Sequence, residues 1–348
     1  MRLPFSARKL LLPLVPAYRL ALAWRELGLG SRLELVRRLH FPVISIGSLS
    51  AGGAGKTPLT IALAKALTQR GVRVDVLSRG YGRQGQRPAR VRPDGSAEEF
   101  GDEPLLIALE TGAPVYVAAR RYEAGLLAEG EAPAGISSVN KPVVHLLDDG
   151  FQHRQLHRDV NILLLDGRDW FKDGLLPAGN LRETLQAARR ATAIAIPAAG
   201  EDPRGAPDLE AALRAWGFAG PVWRLRRRME VPVVDGPVVA FCGIARPEQF
   251  FAGLEAAGLP IATRIAFPDH HRYSPRDLDR LAAAARKTGA AALITTEKDQ
   301  VRLGTLAAAF PESLSLKTAG LRVEIEDEDE AVEWVVERIA SRWNHSPL

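Results

Sequence analysis

Residues 50–58 of the chain read SAGGAGKTP, a glycine-rich run that ends in Gly-Lys-Thr-Pro. Glycines let backbone N–H groups approach phosphate oxygens, and a following helix adds the partial positive charge of its N-terminus. The lysine can reach the β- and γ-phosphates of a nucleotide, while the threonine hydroxyl can bind Mg²⁺. Ser50 replaces the usual first glycine, and a purely structural turn is the alternative interpretation. The predicted nucleotide-binding residues are Gly52, Gly53, Ala54, Gly55, Lys56, Thr57 and Pro58.

An acidic pair, Asp148 and Asp149, follows the apolar run 143–147. A carboxylate at the end of a strand beside a phosphate loop can reach the Mg²⁺ of a bound nucleotide. Many strands also end at an aspartate turn, so a structural role is the alternative. Because neighbouring residues of an extended chain point in opposite directions, we expect the two carboxylates to divide the work. The predicted metal ligands are Thr57, Asp148 and Asp149.

Short apolar runs and helical segments alternate on both sides of these motifs, which predicts a doubly wound, mostly parallel α/β sheet of the P-loop NTPase type. Ligands of such sheets bind at the carboxyl ends of the strands. The predicted strands are 43–46, 72–77, 114–118, 143–147, 160–165 and 192–196, and the predicted helices lie near 58–69, 103–110, 120–129 and 183–190.

A second α/β pattern begins after an arginine-rich stretch that contains Pro232, Pro237 and an Asp-Gly turn signal. We therefore predict a hinge at 223–237. The predicted organisation is an N-terminal arm at 1–40, a P-loop domain at 41–222, the hinge, and a smaller C-terminal α/β domain at 238–348.

The net charge of +5 is concentrated near the N-terminus. Residues 1–40 hold eight Lys or Arg against two Glu, which gives +6, so the remaining residues sum to −1. A basic excess spread over the whole chain would favour nucleic acid, whereas this distribution favours an anionic membrane surface, and no nucleic-acid partner is expected. The single cysteine, Cys242, excludes an intramolecular disulfide framework and a multi-cysteine zinc site.

The N-terminal arm is too short in apolar sequence to cross a bilayer. Its run 10–18 contains two prolines, whereas a spanning helix needs about 20 apolar residues. Leu20, Trp24 and Leu27 fall on one helical face, and Ser31 with Glu34 can form a capping box. Two interpretations stay open: an amphipathic pair of helices packed on the protein's own core, or peripheral association with a membrane.

The motifs taken together resemble the tetraacyldisaccharide 4′-kinase family, which phosphorylates the lipid A precursor at the cytoplasmic face of the Gram-negative inner membrane. The resemblance runs in order from about residue 43 to 303. Besides the phosphate loop it rests on DDGFQH at 148–153, LSRGYG at 77–82, GDEP at 101–104, LRE at 181–183, GIARP at 243–247, FPDHH at 267–271 and TEKD at 296–299.

That resemblance implies an ATP-dependent, Mg²⁺-dependent transfer of a phosphoryl group to a sugar 4′-hydroxyl. Asp102 is then the proton acceptor, assisted by His270 from the second domain, and Arg182 and Glu183 act at the phosphoryl group or the metal. Without the resemblance, Asp102 reads equally as a helix cap, His270 as a surface histidine, and the Arg-Glu pair as the start of a helix. The expected catalytic residues are Asp102, His270, Arg182 and Glu183.

The substrate implied by the resemblance is a tetraacyl disaccharide 1-phosphate, and its phosphate needs a cationic partner. Arg79, Tyr81 and Arg121 are the expected contacts, with solvated surface groups as the alternative. His153 is expected to support the Asp148–Asp149 turn, with a plain structural hydrogen bond as the alternative. The implied location is the cytoplasmic face of the inner membrane, as a peripheral or monotopic protein.

Two other classes of protein carry similar phosphate loops. The main alternative is an ATPase or GTPase switch of the partitioning or metallochaperone type. The partitioning class places a lysine immediately before the two glycines, where this chain has Ala51, and a GTPase needs an Asn-Lys-x-Asp motif, which is missing. A kinase for a soluble small molecule would not explain the basic, apolar arm.

Overall fold

The computed structural model describes residues 9–30, 36–52, 55–132, 142–167, 170, 173–198 and 208–343. Gly53 and Ala54 of the phosphate loop, the side chain of Leu27, and the predicted capping box of Ser31 and Glu34 lie outside the described residues. The strands are β1 (Val43–Ser48), β2 (Arg73–Ser78), β3 (Ala89–Arg90), β4 (Val115–Val117), β5 (Val143–Leu147), β6 (Val160–Leu164), β7 (Ala193–Pro197), β8 (Val222–Glu230), β9 (Val238–Cys242), β10 (Ile261–Ala266), β11 (Ala292–Thr296) and β12 (Ser315–Ile325).

The α-helices of the described residues surround these strands. They are α1 (Val15–Gly30), α2 (Lys56–Gln69), α3 (Ala97–Phe100), α4 (Asp102–Thr111), α5 (Arg121–Gly130), α6 (Leu209–Ala215), α7 (Pro247–Ala256), α8 (Pro275–Thr288), α9 (Glu297–Leu303) and α10 (Glu328–Trp343), with 3₁₀ turns at Lys9–Leu14, Leu185–Arg190 and Gly304–Ala309.

In the described residues the strands form one sheet in the order β10-β9-β11-β12-β8-β7-β6-β1-β5-β2-β4-β3. The pairs β3–β4 and β8–β12 are antiparallel and the other pairs are parallel. The predicted mostly parallel α/β sheet is therefore confirmed. Strand β1 lies between β5 and β6, so the segments that leave the carboxyl ends of β1 and β5 meet at the same edge.

The central strands are apolar because helices cover both faces of the sheet. All residues of β1 and β5 are buried. On one face, Leu59, Leu63 and Leu67 of α2 join a core that also includes α4 and α10. A second core lies around the 3₁₀ turn at Leu185–Arg190 and helix α6. This double covering gives the uninterrupted apolar strands seen in the sequence.

Strand β12 joins the two α/β halves of the molecule. The first half corresponds to the predicted P-loop domain at 41–222, and the second half to the predicted C-terminal domain at 238–348. Its first residues pair in parallel with β11, and its last residues pair antiparallel with β8. Strand β8 also pairs in parallel with β7. The predicted hinge at 223–237 thus begins inside a strand of the shared sheet, and the division into separate domains stays a prediction.

Helix α1 of the N-terminal arm packs on the second core. Val15, Tyr18 and Leu22 contact that core, while Leu20 and Trp24 are 69% and 78% exposed. One side of the helix is therefore held by the protein, and an apolar side faces outward. Within the described parts of the chain, no helix has the length and apolar character needed to cross a membrane.

Candidate active site

The phosphate loop leaves β1 at Ser48 and enters α2 at Lys56. Gly55 immediately before the helix has a φ of +87°, a left-handed conformation that glycine adopts without strain. The Lys56 ammonium lies 3.3 Å from Ser48 Oγ and 3.5 Å from Asp149 Oδ1. Lys56 and Thr57 are buried at the N-terminus of α2. The lysine is therefore held at the mouth of the loop, where the helix dipole also favours an anion.

The DDGFQH turn packs directly beneath β1. A Cβ at Gly47 would lie 2.5 Å from Phe151 Cβ, so only glycine permits this close approach. The backbone N–H of Gly150 donates to Ile46 O, at 2.9 Å. The Gln152 amide donates to Ser48 O, also at 2.9 Å. These contacts fix the acidic pair relative to the phosphate loop.

The two aspartates of the turn face different partners, but the cause is the left-handed backbone at Asp149 and not the alternation expected of an extended chain. Asp148 is buried and accepts a hydrogen bond from Thr60 Oγ1 at 3.0 Å. Asp149 has a φ of +47°, and its carboxylate lies within 3.5 Å of Lys56 Nζ and 3.0 Å of Arg182 Nη1. Asp148 thus lies in the interior, and Asp149 is held among cations.

Their surroundings shift the two carboxyl groups in opposite directions. Burial, together with the charges of Glu103 and Asp149, raises the pKa of Asp148 to about 7. Burial also acts to raise the pKa of Asp149, but Lys56 and Arg182 outweigh it and lower that pKa below its ordinary value. The crowding of carboxyl groups around Asp148 is an arrangement that a cation would relieve.

The donor atoms at this point fit Mg²⁺. The hydroxyl of Thr57 and the carboxylates of Asp148 and Asp149 are hard oxygen ligands of the kind that this ion prefers. Within the described ranges, no three or more His, Cys, Asp or Glu side chains are grouped as a metal site. Mg²⁺ in phosphoryl-transfer sites uses one or two carboxylates and takes its other ligands from phosphates and water.

Arg182 comes from a segment that runs alongside the phosphate loop. Its backbone N–H donates to Leu49 O at 2.7 Å, and the backbones of Ser50 and Leu181 form an isolated antiparallel β-bridge. The Arg182 guanidinium donates to both oxygens of Asp149, at 3.2 and 3.0 Å. The structure therefore brings Arg182 to the acidic pair, where it can meet a transferring phosphoryl group.

Glu183, the next residue, has a different environment. It is 3% exposed, and its carboxylate forms an ion pair with Arg190. The Arg190 guanidinium in turn lies over the ring of Phe151, 4.9 Å from the ring centroid. This chain of contacts supports the DDGFQH turn from below, and a direct catalytic role of Glu183 stays a prediction.

Asp102 and His270, from opposite halves of the molecule, are in contact. His270 Nδ1 lies 3.0 Å from Asp102 Oδ2. Asp102 is the first residue of α4, follows Gly101 at a φ of +95°, and accepts the backbone N–H of Glu103 on Oδ1 at 2.9 Å. The helix-cap interpretation of Asp102 is therefore wrong, because Gly101 is the N-cap and Asp102 is the first helical residue, and the proton-acceptor role stays a prediction.

The Asp102–His270 contact favours the charged forms of both groups. Burial acts to raise the pKa of Asp102, but the hydrogen bond from His270 and the charge of Arg302 hold it well below its ordinary range. The same hydrogen bond raises the pKa of His270 above its ordinary value, against the effect of burial.

Arg302 is a site residue that sequence reasoning missed. Its Nε donates to Asp102 Oδ2 at 2.6 Å, and its side chain is 6% exposed. The available signal was helical spacing: Lys298, in the recognised TEKD motif, lies four residues earlier on the same face of α9. Lys298 Nζ lies 2.5 Å from Glu103 Oε1, so both cations of this face reach the first turn of α4.

The residues expected at the substrate lie in two places: Tyr81 lies beside His270, and Arg79 and Arg121 lie near each other. Tyr81 is exposed, and its ring meets that of His270 edge to face at 5.0 Å. Arg121 is buried at 7% exposure, donates to Ala119 O at 3.2 Å, and leaves Nε without a hydrogen-bond partner among the described residues. Burial and the charge of exposed Arg79 lower the pKa of Arg121 to about 10. The solvated-surface interpretation is therefore wrong for Arg121.

The same concentration of positive charge affects His153. Burial, with the charges of Arg121 and Arg158, lowers the pKa of His153 to about 4. Its backbone N–H donates to Gly150 O at 2.9 Å, within the turn that it was expected to support. The region beside Asp149 is thus a cationic surface that an anionic group would neutralise.

Comparison with known proteins covers almost the whole chain. A sequence model of the family described as tetraacyldisaccharide-1-P 4′-kinase matches residues 7–340. A tetraacyldisaccharide 4′-kinase of Koribacter versatilis is 38% identical over 341 residues, which are 95% of this chain and 99% of that protein. One from Gluconacetobacter diazotrophicus is 42% identical over 301 residues, covering 85% and 84% of the two chains.

A solved structure shows the same fold. The crystal structure of LpxK from Aquifex aeolicus in complex with ATP superposes with a TM-score of 0.72 and 32% sequence identity, covering 96% of this chain and 99% of that one. The P-loop kinase architecture inferred from the sequence is therefore confirmed over both halves of the molecule.

Proposed function

The chain belongs to the tetraacyldisaccharide-1-phosphate 4′-kinase family of lipid A biosynthesis, and on that premise we propose how its site carries out the reaction. It is a kinase that transfers a phosphoryl group to a hydroxyl, with ATP and Mg²⁺ as cofactors. The acceptor is the 4′-hydroxyl of a tetraacyl disaccharide 1-phosphate. The observation that carries the mechanism is the Asp102–His270 contact at 3.0 Å between the two halves of the molecule.

The phosphates of ATP bind at the mouth of the loop between β1 and α2. Backbone N–H groups at the N-terminus of α2 and the Lys56 ammonium contact the β- and γ-phosphates. Thr57, Asp148 and Asp149 would hold Mg²⁺, which when bound would supply positive charge to the phosphate oxygens. Arg182, 3.0 Å from Asp149, is placed to add charge to the transferring group.

The Asp102–His270 pair removes the proton of the acceptor. The 4′-oxygen forms a bond to the γ-phosphorus as the bond from that phosphorus to the bridging oxygen breaks, and the bonding electrons leave with ADP. The hydroxyl proton passes to the pair. Because the two residues come from opposite halves, closure of the cleft between the halves assembles the proton acceptor.

The cationic surface beside Asp149 suits the 1-phosphate of the substrate. Arg121 Nε has no hydrogen-bond partner within the described ranges, and burial and the charge of Arg79 lower the pKa of Arg121, so an anion bound there would relieve the repulsion between the two guanidinium groups. Tyr81, beside His270, offers its exposed ring to the sugar.

The N-terminal arm holds the enzyme at the cytoplasmic face of the inner membrane, where an acylated substrate resides. It combines a net charge of +6 over residues 1–40 with exposed apolar side chains, namely Leu10, Leu12, Leu14, Leu20 and Trp24. Basic residues attract anionic lipids, and the apolar side of α1 enters the boundary of the acyl chains. The two interpretations of the arm thus combine, since one side packs on the core and the other meets the lipid.

Transfer of label tests the proposed function directly. The protein is incubated with γ-labelled ATP and tetraacyl disaccharide 1-phosphate in detergent micelles, and the lipid is extracted and counted. We expect label on the lipid, and none with Lys56→Met. Hydrolysis of ATP without label on the lipid would instead favour an ATPase switch.

A further inference from the structure

Both oxygens of the Asp102 carboxylate accept hydrogen bonds within the described part of the chain. Oδ1 accepts the backbone N–H of Glu103, and Oδ2 accepts both His270 Nδ1 and Arg302 Nε. A second guanidinium nitrogen of Arg302 also contacts Oδ2. Asp102 itself is 4% exposed. The contacts of Arg302 with Asp102 are therefore buried between the two halves of the molecule.

Arg302 also makes hydrogen bonds within its own half of the molecule, which hold its side chain in place. Its Nη1 donates to Gly243 O at 2.6 Å and to Asp299 Oδ1 at 2.8 Å. Asp299 is fully buried, and it also accepts hydrogen bonds from Tyr273 and Thr296 at 2.9 and 2.6 Å. The planar guanidinium is thus fixed on one edge and presents its other edge to Asp102.

We propose that Arg302 is a positioning residue for the phosphoryl transfer, which fixes the Asp102 carboxylate in the orientation that His270 requires. The inference rests on the proposed function, because it gives Arg302 no contact with substrate and no role apart from the Asp102–His270 pair. Arg302 on α9 and His270 on the loop after β10 reach the same carboxylate oxygen. Closure therefore assembles both contacts in one movement.

The positive charge of Arg302 also sets the pH at which the pair can accept a proton. The charged groups that act on Asp102 are His270, Arg302, Lys298 and the neighbouring Glu103, and those that act on His270 are Asp102, Asp269 and Arg302. Arg302 lowers the pKa of both members of the pair. Removing this charge raises the pKa of Asp102 and that of His270. In a plot of kcat against pH, the acid limb, where kcat falls as pH is lowered, therefore moves to higher pH whichever member takes the proton.

The pH dependence of kcat separates this role from a purely structural one. For Arg302→Gln we expect kcat near neutral pH to fall by about 10²-fold or more, with the acid limb displaced upward by about one pH unit or more. Arg302→Lys keeps the charge but loses the paired contacts of two guanidinium nitrogens with Asp102 Oδ2. We therefore expect the acid limb of this variant to stay near that of the wild type while kcat falls. An equal loss of kcat at every pH in Arg302→Gln would overturn the proposal.

Arg272→Gln is the matched control. Arg272 also crosses between the halves, donating to Gly82 O at 3.1 Å, but its charge is not among the main causes of the lowered pKa of Asp102. Its acid limb should stay in place. If Arg302→Gln does not fold, Arg302→Lys still decides the matter, because an unchanged kcat in that variant would contradict the positioning role.

Asp102→Asn distinguishes failure of this inference from failure of the proposed mechanism. If Asp102→Asn keeps wild-type turnover, the Asp102–His270 mechanism is wrong and the inference fails with it. If Asp102→Asn loses turnover while the acid limb of Arg302→Gln does not move, only the inference fails. In the Asp102→Asn background, adding Arg302→Gln should cost little further turnover, since Arg302 acts through Asp102.

Discussion

The hydroxyl of Tyr18, in the N-terminal helix, donates a hydrogen bond of 2.8 Å to the backbone carbonyl of Arg182. The N–H of the same residue donates to Leu49 O, at the start of the phosphate loop. One short segment is therefore tied on one side to the arm that carries the exposed apolar residues and on the other to the nucleotide site.

Tyr18→Phe removes that hydrogen bond and keeps the ring that packs on the second core. A hydrogen bond of this kind contributes about 1 kcal/mol, so kcat should fall about fivefold if the loss reaches the Arg182 guanidinium in the transition state. Binding to vesicles should not change. Steady-state kinetics with the lipid substrate checks the first expectation, and a wild-type kcat would show that the contact does not position Arg182.

Leu20→Ser with Trp24→Ser alters the exposed side of α1 and leaves the buried side intact. Binding to anionic vesicles should fall markedly, because the lost apolar contact is worth about 1.5–3 kcal/mol per large side chain. This double variant tests the membrane role better than deleting the arm, since deletion would also remove Val15, Tyr18 and Leu22 from the core. Co-sedimentation with vesicles measures the effect, and undiminished binding would contradict the membrane role.

The raised pKa of His270 predicts a pH-dependent contribution to stability. In the folded state the hydrogen bond with Asp102 holds this pKa above the ordinary value, which is about 6.5 in the unfolded chain. The stabilising contribution is therefore complete below about pH 6.5 and is lost as pH rises through the folded-state pKa. Urea unfolding of the wild type and of His270→Gln between about pH 5.5 and 9 should show a difference that shrinks as pH rises. A constant difference would contradict the assignment.

Gly47→Ala tests the close packing of the DDGFQH turn against β1. The added Cβ would meet Phe151 Cβ at 2.5 Å and Phe151 N at 2.7 Å, so we expect a destabilisation of about 1–3 kcal/mol and weaker ATP binding. Gly85→Ala is the matched control, because its added Cβ has no neighbour within 4 Å. Thermal unfolding and nucleotide titration measure both variants, and equal stabilities would exclude the predicted clash.

The fold could be predicted closely wherever the sequence pattern is local. The predicted strand at 143–147 is found with those bounds, and the predicted strand at 160–165 is found at Val160–Leu164. Strand β8 was missed because its arginines and the prolines that follow suggested a linker. Its period of two is nevertheless visible, since Trp223 and Leu225 are buried and Arg224 and Arg226 are exposed.

The site residues, like the strands, could be predicted where their sequence pattern is local. The phosphate loop and the acidic pair are contiguous motifs, and their residue types indicate phosphate binding and metal binding. The pairing of Asp102 with His270 came only from the family resemblance, because contacts 168 residues apart leave no local pattern. Arg302, 200 residues from Asp102, lay beyond any recognised motif. The Arg190 partner of Glu183 was likewise not foreseen.

Strand β12 has a mechanical consequence. It pairs with β11 along one stretch and with β8 along the next, so no free linker separates the two halves at this point. Any movement that opens the cleft while keeping these hydrogen bonds must twist the β8–β12 ribbon. A twisted ribbon returns elastically to its resting shape. The resting separation of Asp102 and His270 therefore also depends on the twist of a backbone ladder that lies at least 40 residues away from either of them in sequence.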